Sequence, residues 1–548
     1  MQDHTHNTWG PQTRLLPVAR HLYLLIATAL CAAHATSKPT PSAPQANVPI
    51  DHISDHTLAN GWTFIFVSRE GPPILTFQTR LDVGSIHERD GIRGMAHMFE
   101  HMAFKGSDRV GSLDWPAEQI ALARVDTTRG ELLQARAMGD AEWTRTSADA
   151  FAAAQEEAAA LVDGEAFSRL LEDAGGGGSL NAFTRADATG YVVSLPANAL
   201  ELWCWLERER FTRPVLREFY REVSAVIEER NMRVDSAPFG ALLEAWKLAA
   251  FSSHPYRHPV IGYAQDIAAY DRDEAAAFFR ANYNASRLVT TVVGDIDRDT
   301  LIPMLERYFG DLPAGPPTPP VGPPEPEQAE QIRIEVPFPA EPLLILGWKC
   351  PPTAADDGPA VEVAARLLGV GASSRLERRL VREEQLAAYT GAGTAFPDAS
   401  HANLTYVIAV PNAGVEPDAL ESAILEEIDH LAQNGADPQE LAGVKRVARA
   451  EFLRSMRESG DLAGLLCEYH ARTGHWRNAF RETERINAVT DEAVRAAVKR
   501  YLRPERCTVA TLVRPAEPDD PPGPNGADEP GATGESTSTT SGNGGGNR

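Results

Sequence analysis

Two histidines and a glutamate stand within five residues of one another, as His97, Glu100 and His101. On a helix these positions share one face, so two imidazoles and a carboxylate would converge on one point. Catalytic zinc takes three protein ligands and a water molecule whose pKa falls to about 7 on the metal. The spacing therefore predicts a zinc site in which His97 and His101 bind the metal and Glu100 is the general base. The alternative is a surface helix with two unrelated histidines.

The residues around this triplet resemble those of a known protein family. The order H-x-x-E-H is the reverse of the H-E-x-x-H motif found in many zinc peptidases. Together with the flanking residues 84–106, it is similar to the pitrilysin or insulinase family of zinc peptidases, family M16, which includes mitochondrial processing peptidase. The resemblance implies a metalloendopeptidase with one Zn²⁺ per chain and peptides as substrates.

The resemblance also implies a third ligand, which family members place on a later helix as the second glutamate of a pair seven residues apart. Glu222 and Glu229 have this spacing, and seven residues make two helical turns, so both side chains point the same way. We expect Glu229 to bind the metal and Glu222 to orient one of the histidines. Glu228 is the rival ligand, and an ordinary charged helix face is the alternative for the pair.

The interval between His101 and Glu229 is longer than is usual in the family by roughly fifty residues. The excess falls at about residues 113–163, whose Ala-rich and charged sequence is typical of helix. The runs 127–130 and 138–140 could each break this segment into a helical hairpin. Such an insertion costs little free energy, because loop-closure entropy rises slowly with length. Two roles stay open for it, restriction of substrates at the cleft and subunit contact.

A strand is predicted beyond the glycine run 175–178, because residues 187–195 alternate in polarity and contain β-branched side chains. The segment resembles the edge strand of the family, whose backbone pairs with the substrate peptide. This resemblance implies that Asn181 and Ala182 contact the substrate. Pairing through main-chain groups demands little of the substrate sequence. The alternative is an internal hairpin strand that binds no ligand.

The second half of the chain contains Arg382 followed seven residues later by Tyr389. This pair resembles the R-x6-Y element of the family, which approaches the zinc site from the opposite half. The resemblance implies that Arg382 binds the substrate and that Tyr389 donates a hydrogen bond to the oxyanion. The alternative is that Tyr389 packs at the base of a strand. The glycine-containing run 369–374 follows a predicted helix rather than a strand, so we do not interpret it as a dinucleotide-binding motif.

Composition divides the chain into segments. Residues 1–35 predict a signal peptide, residues 47–311 a first half, and residues 331–514 a second half. A Pro-rich linker at 312–330 joins the halves, and the composition of 515–548 predicts a disordered tail. Both halves show a strand followed by a helix, so we expect a diverged repeat in which the second half has lost the metal ligands. With the resemblance, the expected fold class is α+β, with two related halves that are each a largely antiparallel sheet packed with helices.

The N-terminal prediction depends on Arg14 and Arg20, on the apolar run 22–30, and on an A-x-A cleavage site at 33–35. This apolar run is too short to span a bilayer comfortably. We therefore expect a periplasmic or secreted bacterial protein with no stable membrane insertion. Of the five cysteines, four lie beyond the predicted cleavage site, and they are few and widely spaced. Buried thiols, with one disulfide at most, are expected.

The formal charge of −24 argues against binding to a phosphate backbone, so no nucleic-acid partner is expected. With 548 residues, 43% of them hydrophobic, the chain can bury two or more cores. The predicted function is a zinc-dependent endopeptidase that cleaves peptides or unfolded segments. The alternative is a noncatalytic structural or substrate-presenting subunit of a peptidase pair. Short members of the family often dimerise, so the resemblance implies a homodimer or a heterodimer with another M16 subunit.

Overall fold

The computed structural model describes residues 50–316 and 321–515. The predicted signal peptide lies outside these ranges, as does the predicted disordered tail apart from its first residue. Among the helices of the two ranges, none is both long enough and apolar enough to cross a bilayer. The described residues form two sheets, each packed with helices.

The first sheet has six strands. They are β1 (Ile53–Thr57), β2 (Thr63–Ser68), β3 (Ile74–Leu81), β4 (Asn181–Thr184), β5 (Thr189–Pro196) and β6 (Leu288–Gly294). Their spatial order is β1-β2-β6-β3-β5-β4. Neighbouring strands are antiparallel, except for the parallel pair β2 and β6. The short strand β4 therefore ends one edge of the sheet.

The second sheet has five strands. They are β7 (Ile332–Pro337), β8 (Leu343–Cys350), β9 (Ala387–Phe396), β10 (Asn403–Pro411) and β11 (Cys507–Val513), in the spatial order β7-β11-β8-β10-β9. The pair β7 and β11 is parallel and the other neighbours are antiparallel. Apart from β1, this order and these directions repeat those of the first sheet. The α+β prediction of two related halves is therefore confirmed.

Helices cover both sheets. Those of the first half are α1 (Met95–Met102), α2 (Trp115–Met138), α3 (Ala141–Ala159), α4 (Ala166–Leu171), α5 (Leu200–Thr212), α6 (Phe219–Arg230), α7 (Pro238–Ala250), α8 (Ala264–Ala269), α9 (Arg272–Asn282) and α10 (Arg298–Phe309). Those of the second half are α11 (Gly358–Gly369), α12 (Pro417–Asn434), α13 (Pro438–Ser455), α14 (Ser459–Thr473), α15 (Asn478–Ala488) and α16 (Asp491–Tyr501). In the repeat, α11 follows β8 as α1 follows β3, but α11 contains no histidine.

Each half places one helix on the sheet of the other half. Helix α7 packs on the second sheet, where the indole N–H of Trp246 donates to the carbonyl of Thr508 at 3.0 Å. Helix α14 packs on the first sheet, where the Cys467 thiol donates to the carbonyl of Gln78 at 3.3 Å. Alternate residues of β2 face the two sides of the sheet, as strand geometry requires. Each half thus completes the core of the other.

The predicted insertion contains a helical hairpin formed by α2 and α3. Its turn lies at Gly139, whose φ is 70°, and at Asp140, whose side chain accepts from the backbone N–H of Trp143. The other candidate break, at 127–130, stays helical, and the Thr127 hydroxyl donates to the carbonyl four residues earlier. A left-handed glycine followed by a capping aspartate ends one helix and begins the next, whereas a lone glycine in a long helix is tolerated.

Cys204, Cys350, Cys467 and Cys507 are buried free thiols. Burial raises the pKa of the Cys467 thiol to about 11, and its Sγ lies 3.1 Å from Oγ1 of Thr291. Cysteines in such positions behave as small core residues rather than as nucleophiles.

Candidate metal centre

Helix α1 carries both histidines of the triplet, and its first turn is held by a buried carboxylate. Glu88 accepts hydrogen bonds from the backbone N–H groups of Gly94, at 2.7 Å, and Ala96, at 2.8 Å. A helix leaves such N–H groups at its start unpaired. Gly94 is required because its φ is 100° and a Cβ there would lie 2.4 Å from the carbonyl oxygen of Ile261. These contacts set the direction in which α1 presents its histidines.

The structure brings three predicted ligands together. Nε2 of His97 lies 3.6 Å from Oε2 of Glu229, and Nε2 of His101 lies 3.3 Å from the same oxygen. A tetrahedral zinc site with bonds of about 2.0 to 2.1 Å separates its ligand atoms by about 3.3 Å. Glu229 Oε2 is buried, and no described residue makes a well-aligned hydrogen bond to it. The donor set therefore fits a zinc ion, and residues 50–316 and 321–515 contain no second group of three potential ligands so close together.

Helix α6 supplies Glu222 and Glu229 from one face. Glu222 Oε2 lies 3.3 Å from Nδ1 of His101, and its Oε1 lies 2.6 Å from Nζ of Lys105. Glu222 thus contacts the ring nitrogen that is not directed at Glu229, which is how a carboxylate orients a metal-binding histidine. The rival ligand Glu228 is exposed and does not belong to the cluster.

Burial and the nearby carboxylates shift the pKa values of the two histidines in opposite directions. Burial lowers the pKa of His97 to about 4, so this ring is neutral at pH 7. The neighbouring carboxylates of Glu222 and Glu229 raise the pKa of His101 to about 9. Because a metal binds the neutral ring, it must displace a proton from His101 but not from His97.

Glu100, the predicted general base, lies on α1 beside the edge strand β4. Burial raises the pKa of its carboxyl, and the Thr184 hydroxyl on β4 opposes this effect to a smaller degree. Asn181 is exposed and Ala182 half-buried, both on the same strand. Since β4 is the last strand of its sheet, one side of its backbone faces away from the sheet and can pair with an extended peptide.

The two residues predicted in the second half lie on different elements. Arg382 lies in the π-helical turn Glu377–Glu383, where 56% of its side chain is exposed and its Nε is 3.5 Å from Oε1 of Glu377. Tyr389 lies on β9 and packs against the core cluster that includes Trp246 of α7. This packing is the alternative foreseen for Tyr389, and the catalytic roles of both residues stay predictions.

Sequence reasoning missed two cations beside the site. Nη1 of Arg233 lies 2.7 Å from Oε1 of Glu229, the oxygen that does not face the histidines. Arg233 follows Glu229 by four residues, a spacing that favours helical ion pairs and could have revealed it. Nζ of Lys105 lies 3.0 Å from Oε2 of Glu218 and also pairs with Glu222. No local signal marks Lys105, because Glu218 is 113 residues further along the chain.

Two family profiles match the chain. The profile described as Insulinase (Peptidase family M16) matches residues 73–122, which contain α1 and the H-x-x-E-H triplet. The profile described as Peptidase M16 inactive domain matches residues 269–447, which include most of the second sheet. The two matches thus fall on both halves of the repeat.

Similar proteins agree with these profiles. The chain is 25% identical to Zinc protease PqqE of Helicobacter pylori over 420 residues, which are 75% of this chain and 82% of that protein. The crystal structure of a protease from Helicobacter pylori has a TM-score of 0.69 at 22% identity, covering 84% of this chain and 99% of that one. The crystal structure of a peptidase M16 inactive domain from Pseudomonas fluorescens has a TM-score of 0.68 at 16% identity, covering 85% of this chain and 98% of that one. On these profiles, relatives and shared fold, the chain belongs to peptidase family M16.

Proposed function

We propose that the chain is a zinc-dependent endopeptidase that acts on peptides or unfolded protein segments. The observation that carries this proposal is the convergence of His97, His101 and Glu229, whose ligand atoms lie within 4.8 Å of one another. The names of similar proteins as zinc proteases support zinc as the metal. One ion per chain is expected, since α11 of the second half contains no histidine.

Each residue of the site has a role in this proposal. His97, His101 and Glu229 would hold a zinc ion, which when bound polarises a water molecule and the scissile carbonyl. Glu100 takes the proton from the attacking water and delivers it to the leaving amine. The buried setting of Glu100 favours this work, because burial stabilises the protonated acid that must form between the two transfers. Arg233 pairs with Oε1 of Glu229 and leaves Oε2 directed at the histidines.

The substrate would bind as an additional strand. An extended peptide pairs with β4 through the backbone of Asn181 and Ala182, next to Glu100, so recognition depends on main-chain groups more than on sequence. Arg382 and Tyr389 would complete the site from the second half, Arg382 by binding the substrate and Tyr389 by donating a hydrogen bond to the oxyanion. This part of the proposal rests on the edge position of β4 and on the R-x6-Y pattern.

Substitutions of three glutamates test the proposal. We expect the parent protein to bind one zinc and to cleave an unstructured peptide mixture in a chelator-sensitive way. Glu100→Gln should retain zinc and lose at least about a hundredfold in turnover, because general-base catalysis supplies that much or more. Glu229→Gln should lose zinc, whereas the control Glu228→Gln, altered at an exposed position of the same helix, should retain zinc and turnover. Parental turnover in Glu100→Gln, or full zinc content in Glu229→Gln, would contradict the proposal.

Metal analysis also distinguishes the enzyme from a noncatalytic subunit. Near-stoichiometric zinc supports the peptidase, and a protein that binds none under conditions that preserve its fold would support the subunit.

The proposal extends to a periplasmic or secreted location and to a homodimer or a heterodimer with another M16 subunit. Intact mass of the secreted protein, which should lack residues 1–35, tests the location. Light scattering of the purified chain tests the assembly.

A further inference from the structure

The predicted helical insertion packs against α6, the helix that carries Glu222 and Glu229. At the first turn of α6, the Tyr220 ring meets the Phe151 ring edge to face, with centroids 5.5 Å apart. The guanidinium of Arg129 lies 5.4 Å from the centroid of the Tyr220 ring, and the Tyr220 hydroxyl donates to Asp126 at 3.2 Å. Phe151 lies on α3, whereas Arg129 and Asp126 lie on α2. Both helices of the predicted insertion therefore contact the start of α6.

Arg217, just before α6, is fully buried and joins three segments of the chain. Its Nε donates at 2.9 Å to Glu118, which is also fully buried and lies in the first turn of α2. Its Nη1 donates to the carbonyls of Lys105 at 2.9 Å and Val110 at 2.6 Å, and its Nη2 donates to the carbonyl of Ser107 at 2.7 Å. These carbonyls belong to the loop that follows α1. One guanidinium therefore connects the loop after α1, the first turn of α2 and the start of α6.

Small movements of α6 would alter the metal site. Glu229 lies nine residues beyond Tyr220, which is about 13 Å along a helix axis. A tilt of about 5° at the first turn would move Glu229 by about 1 Å over that length. Metal–ligand distances tolerate about 0.2 Å. Contacts that hold the start of α6 therefore determine whether Glu229 can reach the metal together with the histidines.

We infer that the insertion is a brace for the zinc site, in which Glu118 and Arg217 act as positioning residues that set metal affinity. This inference rests on the proposed zinc site and adds a role for the predicted insertion. Glu118 accepts a hydrogen bond from the Arg217 guanidinium, and the same guanidinium connects the start of α6 to the loop after α1. Removing one partner of a buried ion pair leaves an uncompensated charge, so we expect the Arg217 guanidinium to move when Glu118 is replaced. The brace uses the inner face of the hairpin and leaves its outer face to solvent or to other contacts.

Zinc affinity and the Co²⁺ spectrum of full-length variants test the brace. Zn²⁺ Kd is measured by competition with a chromophoric chelator, and Co²⁺ loading reports the ligand geometry through its visible absorption bands. Glu118→Gln should raise the Zn²⁺ Kd at least tenfold and weaken the tetrahedral Co²⁺ bands, although no ligand is changed. Phe151→Ala, which removes the ring against Tyr220 without creating a buried charge, should raise the Kd about threefold. If Glu118→Gln does not fold, Phe151→Ala decides the test.

A matched variant separates positioning from general loss of stability. Val494→Ala removes buried methyl groups from α16 in the core of the second half, where Val494 is 0% exposed. It should lower the thermal midpoint and leave the Zn²⁺ Kd within twofold and the Co²⁺ spectrum unchanged. The brace is refuted if the folded insertion variants keep the parental Kd, or if Val494→Ala weakens zinc equally for the same loss of thermal stability. A parent that binds no zinc refutes the proposed function and the brace with it, whereas zinc binding that is insensitive to the insertion variants refutes the brace alone.

Discussion

Replacing Glu222 by Gln should weaken zinc binding although Glu222 is not a ligand. Its Oε2 lies 3.3 Å from Nδ1 of His101, and its Oε1 lies 2.6 Å from Nζ of Lys105. The carboxylate thereby holds the ring so that Nε2 of His101 faces Glu229, 3.3 Å away. Loss of such an orienting partner costs about 10- to 100-fold in metal affinity, or about 1.4 to 2.7 kcal/mol.

The lower end of that range is expected for Glu222→Gln, because the amide oxygen can still accept from the histidine N–H. What is lost is the charge that favours binding of a cation and that pairs with Lys105. The assay is competition for Zn²⁺ against a chelator of known affinity at pH 7. Glu218→Gln is the matched control, since Glu218 pairs with the same lysine at 3.0 Å and belongs to no ligand group. Its Kd should stay within threefold of the parent value.

Two results would refute this reasoning about the orientation of His101. One is a Glu222→Gln protein whose Zn²⁺ Kd lies within twofold of the parent value. The other is an equal loss of affinity in Glu218→Gln and Glu222→Gln, which would assign the effect to Lys105 and to net charge rather than to the histidine.

Three further predictions concern the linker, the pH and the start of α1. The side chain of Glu325, in the linker, is 1% exposed and accepts hydrogen bonds from three backbone N–H groups and from Lys349. Burial raises its pKa, but these contacts outweigh that effect and lower the pKa to about 2. Because folding lowers the pKa of Glu325, its contribution to the free energy of unfolding is present above about pH 4.5 and is lost as pH falls toward 2. Glu325→Gln should therefore lower the free energy of unfolding by up to about 3 kcal/mol at pH 7 and by less at pH 3. Chemical denaturation at the two pH values measures this difference. The carboxylates that raise the pKa of His101 to about 9 make a proton compete with the metal for its ring, so the Zn²⁺ Kd should rise about tenfold for each pH unit below 9. Calorimetry in two buffers should detect about one proton released on zinc binding at pH 7. No proton release would contradict this prediction. Gly94→Ala should abolish zinc binding or folding, since its φ is 100° and the new Cβ would lie 2.4 Å from the carbonyl oxygen of Ile261, and a variant with the parental thermal midpoint would be inconsistent with that clash.

Local patterns were enough to predict several elements. The spacing of His97, Glu100 and His101 places them on one face of α1, because that outcome depends only on helical periodicity. The Ala-rich insertion is a hairpin as expected, since good helix formers and caps act over a few residues. The strand–helix order of the two halves likewise indicated the repeat that the two sheets display. Even so, the choice between 127–130 and 138–140 for the turn required the backbone angles of Gly139.

Contacts between distant segments decided the rest. Periodicity could not choose between Glu228 and Glu229, because the choice depends on which side of α6 meets α1. Nor could any local pattern show that α7 and α14 pack on the sheets of opposite halves, or that Arg217 joins three segments. These contacts link residues about a hundred or more positions apart, and their energies come from desolvation and close packing that exist only once the chain is folded. The sequence by itself thus determined the side chains that could bind a metal on α1, and only the tertiary structure decided which carboxylate meets them and what holds it there.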